Sequence, residues 1–173
     1  MSKKVTIIIV VAVVALIAWG IRVYQVNDGV ALAYETKTYQ IGDQISIDNA
    51  TLKVTNVKQG EVTEKEGFKS FPVTVEMQIQ NTTDEEISVH GLIPTKLVYG
   101  GYGYDYQTGD FEGTDALRSL APDATATFLL IYHIDPDDQN KKGKMYFDQR
   151  LYQQLVTEQY QEGKRYGIVV DLP

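Results

Sequence analysis

Phe71-Pro-Val-Thr-Val-Glu-Met-Gln-Ile79 is the stretch that decides the fold. Phe71, Val73, Val75, Met77 and Ile79 fall on every second position, with polar residues between them from Val73 onward. Successive side chains of a strand point to opposite faces, so the pattern predicts a half-buried strand with one face in a core. Asn81-Thr-Thr-Asp84 then reads as a turn. Glu86–Val89 and Lys96–Tyr99 read as the next strands, interrupted by Gly91 and Pro94.

Upstream, Gln44–Ile47 alternates, Asp48-Asn-Ala50 turns, and Thr51–Val57 continues as a strand, which together predict a hairpin. Gln59–Gly67 is charged and reads as an exposed loop. Downstream, Phe128-Leu-Leu-Ile-Tyr132 is apolar on both faces and predicts a central strand within Ala124–Ile134. Pro122-Asp123 turns into it and Pro136 closes it. Gly167–Leu172 reads as the last strand. Asp148–Gln161 breaks the pattern: Leu151 with Leu155, and Tyr152 with Val156 and Tyr160, recur at helical spacing, with Asp148 to cap the start and Gly163 the end. Many short strands and one short helix near the carboxyl end predict an all-β protein, an immunoglobulin-like antiparallel β-sandwich.

The amino end is different in kind. After the basic start Met1-Ser-Lys-Lys4, Val5–Ile21 carries no charge, and Arg22 closes the run. As a helix it covers about 25 Å, close to the thickness of a thin hydrocarbon core. Lys3, Lys4 and the terminal amine outweigh Arg22, which predicts a cytoplasmic amino end and an extracytoplasmic carboxyl-terminal domain. Trp19 suits the membrane–water interface. The competing reading is a cleaved secretion signal with Ala31-Leu-Ala33 as its site and a secreted product. That site lies far past the apolar run, beyond Arg22, Asn27 and Asp28. The expected organisation is an anchor over 1–22, a stalk over 23–37 and one domain over 38–173.

The chain has no cysteine and a net charge of −7. The domain therefore folds without disulfides, and its acidity excludes counterion-driven nucleic-acid binding. Two glycosylation sequons, Asn49-Ala-Thr51 and Asn81-Thr-Thr83, fall in turn-like segments.

Taken in order, Tyr39-Gln-Ile-Gly-Asp43, Leu52-Lys-Val-Thr-Asn-Val57, Val73-Thr-Val-Glu-Met-Gln-Ile-Gln-Asn-Thr82 with Glu86-Ile-Ser88, and Leu120-Ala-Pro-Asp123 leading into Phe128-Leu-Leu130 resemble the DUF4352 family. The resemblance covers Tyr39–Ile134. It departs at Pro122-Asp123, where the family usually has Gly after the proline, and over Asp148–Gln161, which has no counterpart. It implies an atypical immunoglobulin-like domain on secreted, lipid-anchored or membrane-anchored proteins of Gram-positive bacteria. It implies no activity and carries over no catalytic residue.

Within Tyr99–Phe111, Tyr102, Tyr104 and Tyr106 alternate among glycines. In a strand the three rings share one side, either as a binding surface for a protein or glycan or as a hairpin that covers the sandwich. Asp135, Asp137 and Asp138, with Asn140 nearby, offer the oxygen ligands calcium takes, or an ordinary Asp-rich turn. His90 and His133 are the only histidines, and no HExxH motif joins them. No Gly-x-Ser-x-Gly elbow or phosphate-binding glycine loop occurs. The sequence thus predicts a non-enzymatic, cofactor-free, membrane-tethered binding or interaction module that meets an envelope protein or a cell-wall glycan. The alternatives are a structural accessory subunit of a membrane, secretion or transfer complex, and a calcium-responsive surface sensor.

Overall fold

The computed structural model describes residues 2–65, 67–90, 95–105 and 117–173. The central strand is the one its alternation predicts. β5 (Phe68–Asn81) buries Phe71, Val73, Val75, Met77 and Ile79 completely. It pairs antiparallel with β3 (Ala50–Gln59) on one side and β8 (Thr125–Ile134) on the other. β2 (Ile45–Ile47) extends the sheet beyond β3, forming the expected hairpin through the turn at Asp48 and Asn49. β3 bulges at Thr55, whose hydroxyl donates to Glu76 Oε1 at 2.9 Å. The second sheet has the order β1 (Ala33–Tyr39), β10 (Lys164–Leu172), β9 (Gly143–Tyr146), β6 (Lys96–Tyr99) and β7 (Tyr102–Asp105). Its inner face brings Leu97, Tyr99, Met145, Tyr166, Ile168 and Val170 against the β5 row, and the two layers enclose one apolar core. The product is a two-sheet β-sandwich.

Five expectations change. The stretch 23–37 is not a stalk, because the first helix runs to Asn27 and β1 begins at Ala33. β1 also makes the sandwich incompletely antiparallel, since it pairs parallel to β10 over its whole length, from Ala33 opposite Lys164 to Tyr39 opposite Val170. The expected loop 59–67 contains β4 (Thr63–Lys65), which returns against Phe68–Ser70; Gly67 takes a positive φ of 82° where the chain reverses. Among the described residues β8 has β5 as its one ladder partner, so its apolar run is not central. Leu129 and Ile131, half-buried on the outer face, lie opposite Glu76 and Thr74. Glu86–Val89 forms no strand and contributes a single bridge, Ile87 to Leu120.

The predicted short helix is present. A 3-10 turn (Gln149–Tyr152) leads into α2 (Gln153–Gln161), and the Asp148 carboxylate accepts from the Arg150 N–H at 2.9 Å. A second cap comes from far away in the chain: Asp48 Oδ2 accepts from the Gln154 N–H at 3.0 Å. The helix ends at Gly163, with φ of 80°. Tyr152 is buried beneath this segment, donates to the Phe147 carbonyl at 3.2 Å, and accepts from the Ile168 N–H at 3.2 Å. Burial raises the pKa of its hydroxyl.

α1 (Lys3–Asn27) contributes nothing to the core. None of its 25 residues is buried, and it is long and apolar enough to cross a membrane. At about 1.5 Å per residue it spans about 38 Å.

Candidate functional site

β1 and β10 run in the same direction, so they define two ends. The lower end holds Ala33, Lys164 and the turn from α2 into β10, and the upper end holds Gln40, Leu172 and Pro173. Both candidate sites read from the sequence gather at the upper end, side by side. The β6–β7 turn is Gly100-Gly101, both with positive φ. A Cβ built on Gly100 would stand 2.1 Å from Asp138 Oδ1, so the turn lies directly on that carboxylate and only glycine fits.

Asp138 is buried and holds Lys141 Nζ at 2.7 Å. That hydrogen bond raises the pKa of Lys141. Asp135 accepts from the Asp137 N–H at 3.0 Å and caps the 3-10 turn Pro136–Asp138. The acidic segment is thus a capped turn whose buried member supports the neighbouring hairpin. Among the described residues, no three His, Asp or Glu side chains are grouped so as to hold a metal ion. His90 is exposed, and His133 lies on β8 with its Nδ1 3.4 Å from Ser70 Oγ.

The register locates two of the three tyrosines. Tyr102 is the cross-strand partner of Tyr99, and Tyr104 of Leu97. Both partners are fully buried. Tyr106 lies outside the described residues. The Tyr99 hydroxyl donates to the Pro173 carbonyl at 3.1 Å, and burial raises its pKa. Its ring lies against Gly143, where a Cβ would come within 2.3 Å of Cε2.

Two upper-end features had no sequence signal. One is a cavity of about 440 Å³ bordered by Gln40, Ile41, Lys142, Asp171 and Leu172. Asp171 Oδ1 is shielded there without a hydrogen bond and stands 3.5 Å from Lys144 Nζ, an ion pair only. The other is the β4–β5 hairpin, which runs on past Phe71 and exposes Phe68 by 80 %.

A residue that the sequence reading passed over as part of a sequon has a structural role. Asn81 is fully buried. Its Nδ2 donates to the carbonyls of Glu85, Leu120 and Ala121 at 2.7, 3.0 and 3.0 Å, and its Oδ1 accepts from Thr83 N–H and Oγ1, both at 2.9 Å. The signal was available: Asn81 continues the inward row 71, 73, 75, 77, 79, and a polar residue in such a row needs internal partners.

Solved structures share this architecture at low sequence identity. An uncharacterised β-sandwich protein from Clostridium difficile superposes with a TM-score of 0.54 at 18 % identity, over 80 % of this chain and 97 % of that one. The YjhA protein of Bacillus subtilis gives 0.51 at 17 % identity, over 78 % and 99 %. A candidate lipoprotein from Bacillus subtilis gives 0.50 at 12 % identity, over 75 % of this chain and 38 % of that one. Among curated proteins, no sequence matches this chain. The model of DUF4352, a domain of unknown function, matches residues 39–154, from the end of β1 into α2. With two thirds of its length inside that match, the chain belongs to the DUF4352 family.

Proposed function

We propose that this chain is a non-enzymatic, membrane-tethered interaction module of the bacterial envelope, with its amino end cytoplasmic and its sandwich outside. The observation that carries the reading is α1, which is long enough to span and buries none of its side chains on the sandwich. The charges that flank its apolar run Val5–Ile21, Lys3 and Lys4 before and Arg22 after, favour this orientation. Cleavage after Ala33 would remove Ala31, whose side chain is buried, and the first residue of β1. That favours an anchor over a cleaved signal. The likeness to a candidate lipoprotein fits a surface location.

Three features support a non-enzymatic role. Asp138 is committed to Lys141 and the hairpin turn, Asp148 to Arg150, and Lys164 to Glu35. The pKa shifts follow these pairings: a hydrogen bond from Arg150 lowers Asp148, and one to Glu35 raises Lys164. Each shift is explained by its ion-pair partner, as in a structural pair. The upper end, opposite the tether, is the surface this reading offers to an envelope protein or cell-wall glycan.

The chain lacks cysteine, so single-cysteine variants test topology directly. Phe68→Cys should react with a membrane-impermeant maleimide in intact cells, and Ser2→Cys only after lysis. Both variants should stay in the membrane pellet after carbonate washing. Release of the sandwich into the medium, or the reverse labelling pattern, would refute the proposal.

A further inference from the structure

The join between α1 and the sandwich is short and fastened. Asp28 closes the helix through its N–H to the Tyr24 carbonyl, and Gly29 reverses the chain with φ of 76°. Ala31 is already part of the sandwich: it is buried, and Arg165 Nε donates to its carbonyl at 3.2 Å. The Ala33 N–H then reaches the Gly163 carbonyl at 3.4 Å. Only residues 28–30 separate the helix from the first fixed residue, a reach of about 14 Å from Asn27 to Ala31 when fully extended. The lower end of the sandwich therefore cannot leave the neighbourhood of the helix terminus.

Leu32 sits between these two fastened residues and is 88 % exposed. Tyr34, two positions on, is 67 % exposed and lies across Gly167, its hydroxyl 3.2 Å from where a Cβ would be. In the carboxyl-terminal half of α1, Trp19 and Tyr24 are exposed by 68 and 72 %. Isolated exposed apolar residues are ordinary on a protein surface. Here the exposed leucine stands on the segment that a spanning helix holds beside the bilayer, while the Tyr34 ring folds over Gly167 toward the upper end. Aromatic rings with one polar end favour that interface, and an apolar side chain gains by leaving water there. Two acidic groups at this end are paired: Lys164 Nζ is 3.0 Å from Glu35 and 3.7 Å from Glu162.

We infer that Leu32 seats in the headgroup layer of the membrane that α1 crosses, giving the sandwich a second contact with the bilayer. The inference rests on the anchor reading above. It adds an orientation: the start of β1 and the α2–β10 turn face the lipid, and the upper end with the β4–β5 hairpin points away from it.

The test uses the full chain in vesicles of phosphatidylcholine and phosphatidylglycerol, with an environment-sensitive fluorophore on single-cysteine variants. Leu16→Cys reports the span, Leu32→Cys the proposed contact and Phe68→Cys the upper end. All three side chains are exposed on the protein, and a thermal melt of each variant checks folding. The Leu32→Cys label should be quenched by brominated lipid, and several-fold less by aqueous iodide than the Phe68→Cys label. Iodide quenching of the Leu32→Cys label equal to that at Phe68→Cys, with the Leu16→Cys label still quenched by lipid, overturns the second contact and leaves the anchor standing. Loss of lipid quenching at Leu16→Cys overturns the anchor and the contact together.

Discussion

Replacing Asn81 with Leu, a side chain of similar size, removes five polar contacts at once. The two protons on Nδ2 are shared among the carbonyls of Glu85, Leu120 and Ala121, and Oδ1 accepts from Thr83 N–H and Oγ1. The carbonyls are not left bare: Glu85 still receives Thr83 Oγ1 at 3.0 Å, Leu120 the Ile87 N–H at 3.0 Å, and Ala121 the Ala124 N–H at 3.1 Å. Their loss therefore belongs at the low end of the range of about 0.5–1.5 kcal/mol per bond. The Thr83 N–H loses its side-chain acceptor and belongs higher in that range. The expected cost is about 3 kcal/mol, or a fall in Tm of about 10 °C for a domain of this size. Tyrosine near-UV circular dichroism of the detergent-solubilised chain reads it. Asn81→Asp sharpens the test, because it keeps the acceptor for Thr83 but points a carboxylate at three carbonyl oxygens. That environment raises the introduced carboxyl's folded pKa above its unfolded value near 4. Its penalty should thus be full at neutral pH and shrink as the pH falls through the raised value. A Tm within about 2 °C of wild type for Asn81→Leu, well below the shift expected from these bonds, would refute the argument that this amide fastens the end of β5 to residues 120–121.

Val75→Asp should prevent folding or lower Tm drastically, because it places an unpaired charge in the core, whereas Thr74→Asp, on the half-exposed outer face, should cost far less; equal losses in a denaturant melt would contradict the β5 register. Gly100→Ala should destabilise more than Gly42→Ala: both have positive φ, but only at Gly100 would the new methyl strike Asp138, while nothing stands within 4 Å of it at Gly42. Replacing Tyr102 and Tyr104 with Ser should lower Tm, since their strand partners Tyr99 and Leu97 are core residues; an unchanged Tm would favour the reading of these tyrosines as a free binding face.

What the sequence disclosed follows from how local each signal is. The inward row of β5, the β2–β3 hairpin and the capped helix after Asp148 are set by residues within a few positions of one another, and all three appear where their patterns place them. The misread elements depend on distant partners. Val23–Lys37 has no periodicity of its own and looks like a tether, yet Ala33–Tyr39 joins the sheet because Lys164–Val170 offers an edge to pair with. The exposed residues of β1 cannot announce this, since its pairing is a ladder of main-chain bonds to a strand some 130 residues away, and main-chain bonds are blind to side-chain pattern. β8 errs in the opposite direction. Leu129 and Ile131 suggested burial on both faces, but an outward apolar residue is tolerated where it stands half-covered beside its cross-strand neighbours.

The same distinction separates the two ends of the molecule as sources of function. Asp135, Asp137, Asp138 and the Tyr102-Tyr104 pair stood out because unusual residues cluster in the chain, and the fold spends the best-defined of them, Asp138, on holding the Gly100 turn. Leu32 did not stand out, because a lone leucine in a connecting segment is ordinary. It acquires meaning only when three facts coincide: Ala31 is buried, Ala33 is hydrogen-bonded to Gly163, and the helix ends at Asn27, five residues upstream. A chain held at both sides of an exposed leucine cannot tuck that side chain into the core without undoing β1. On the anchor reading proposed above, the bilayer would be the apolar phase within its reach, and the short connector would turn a flexible attachment into an orientation for the whole sandwich.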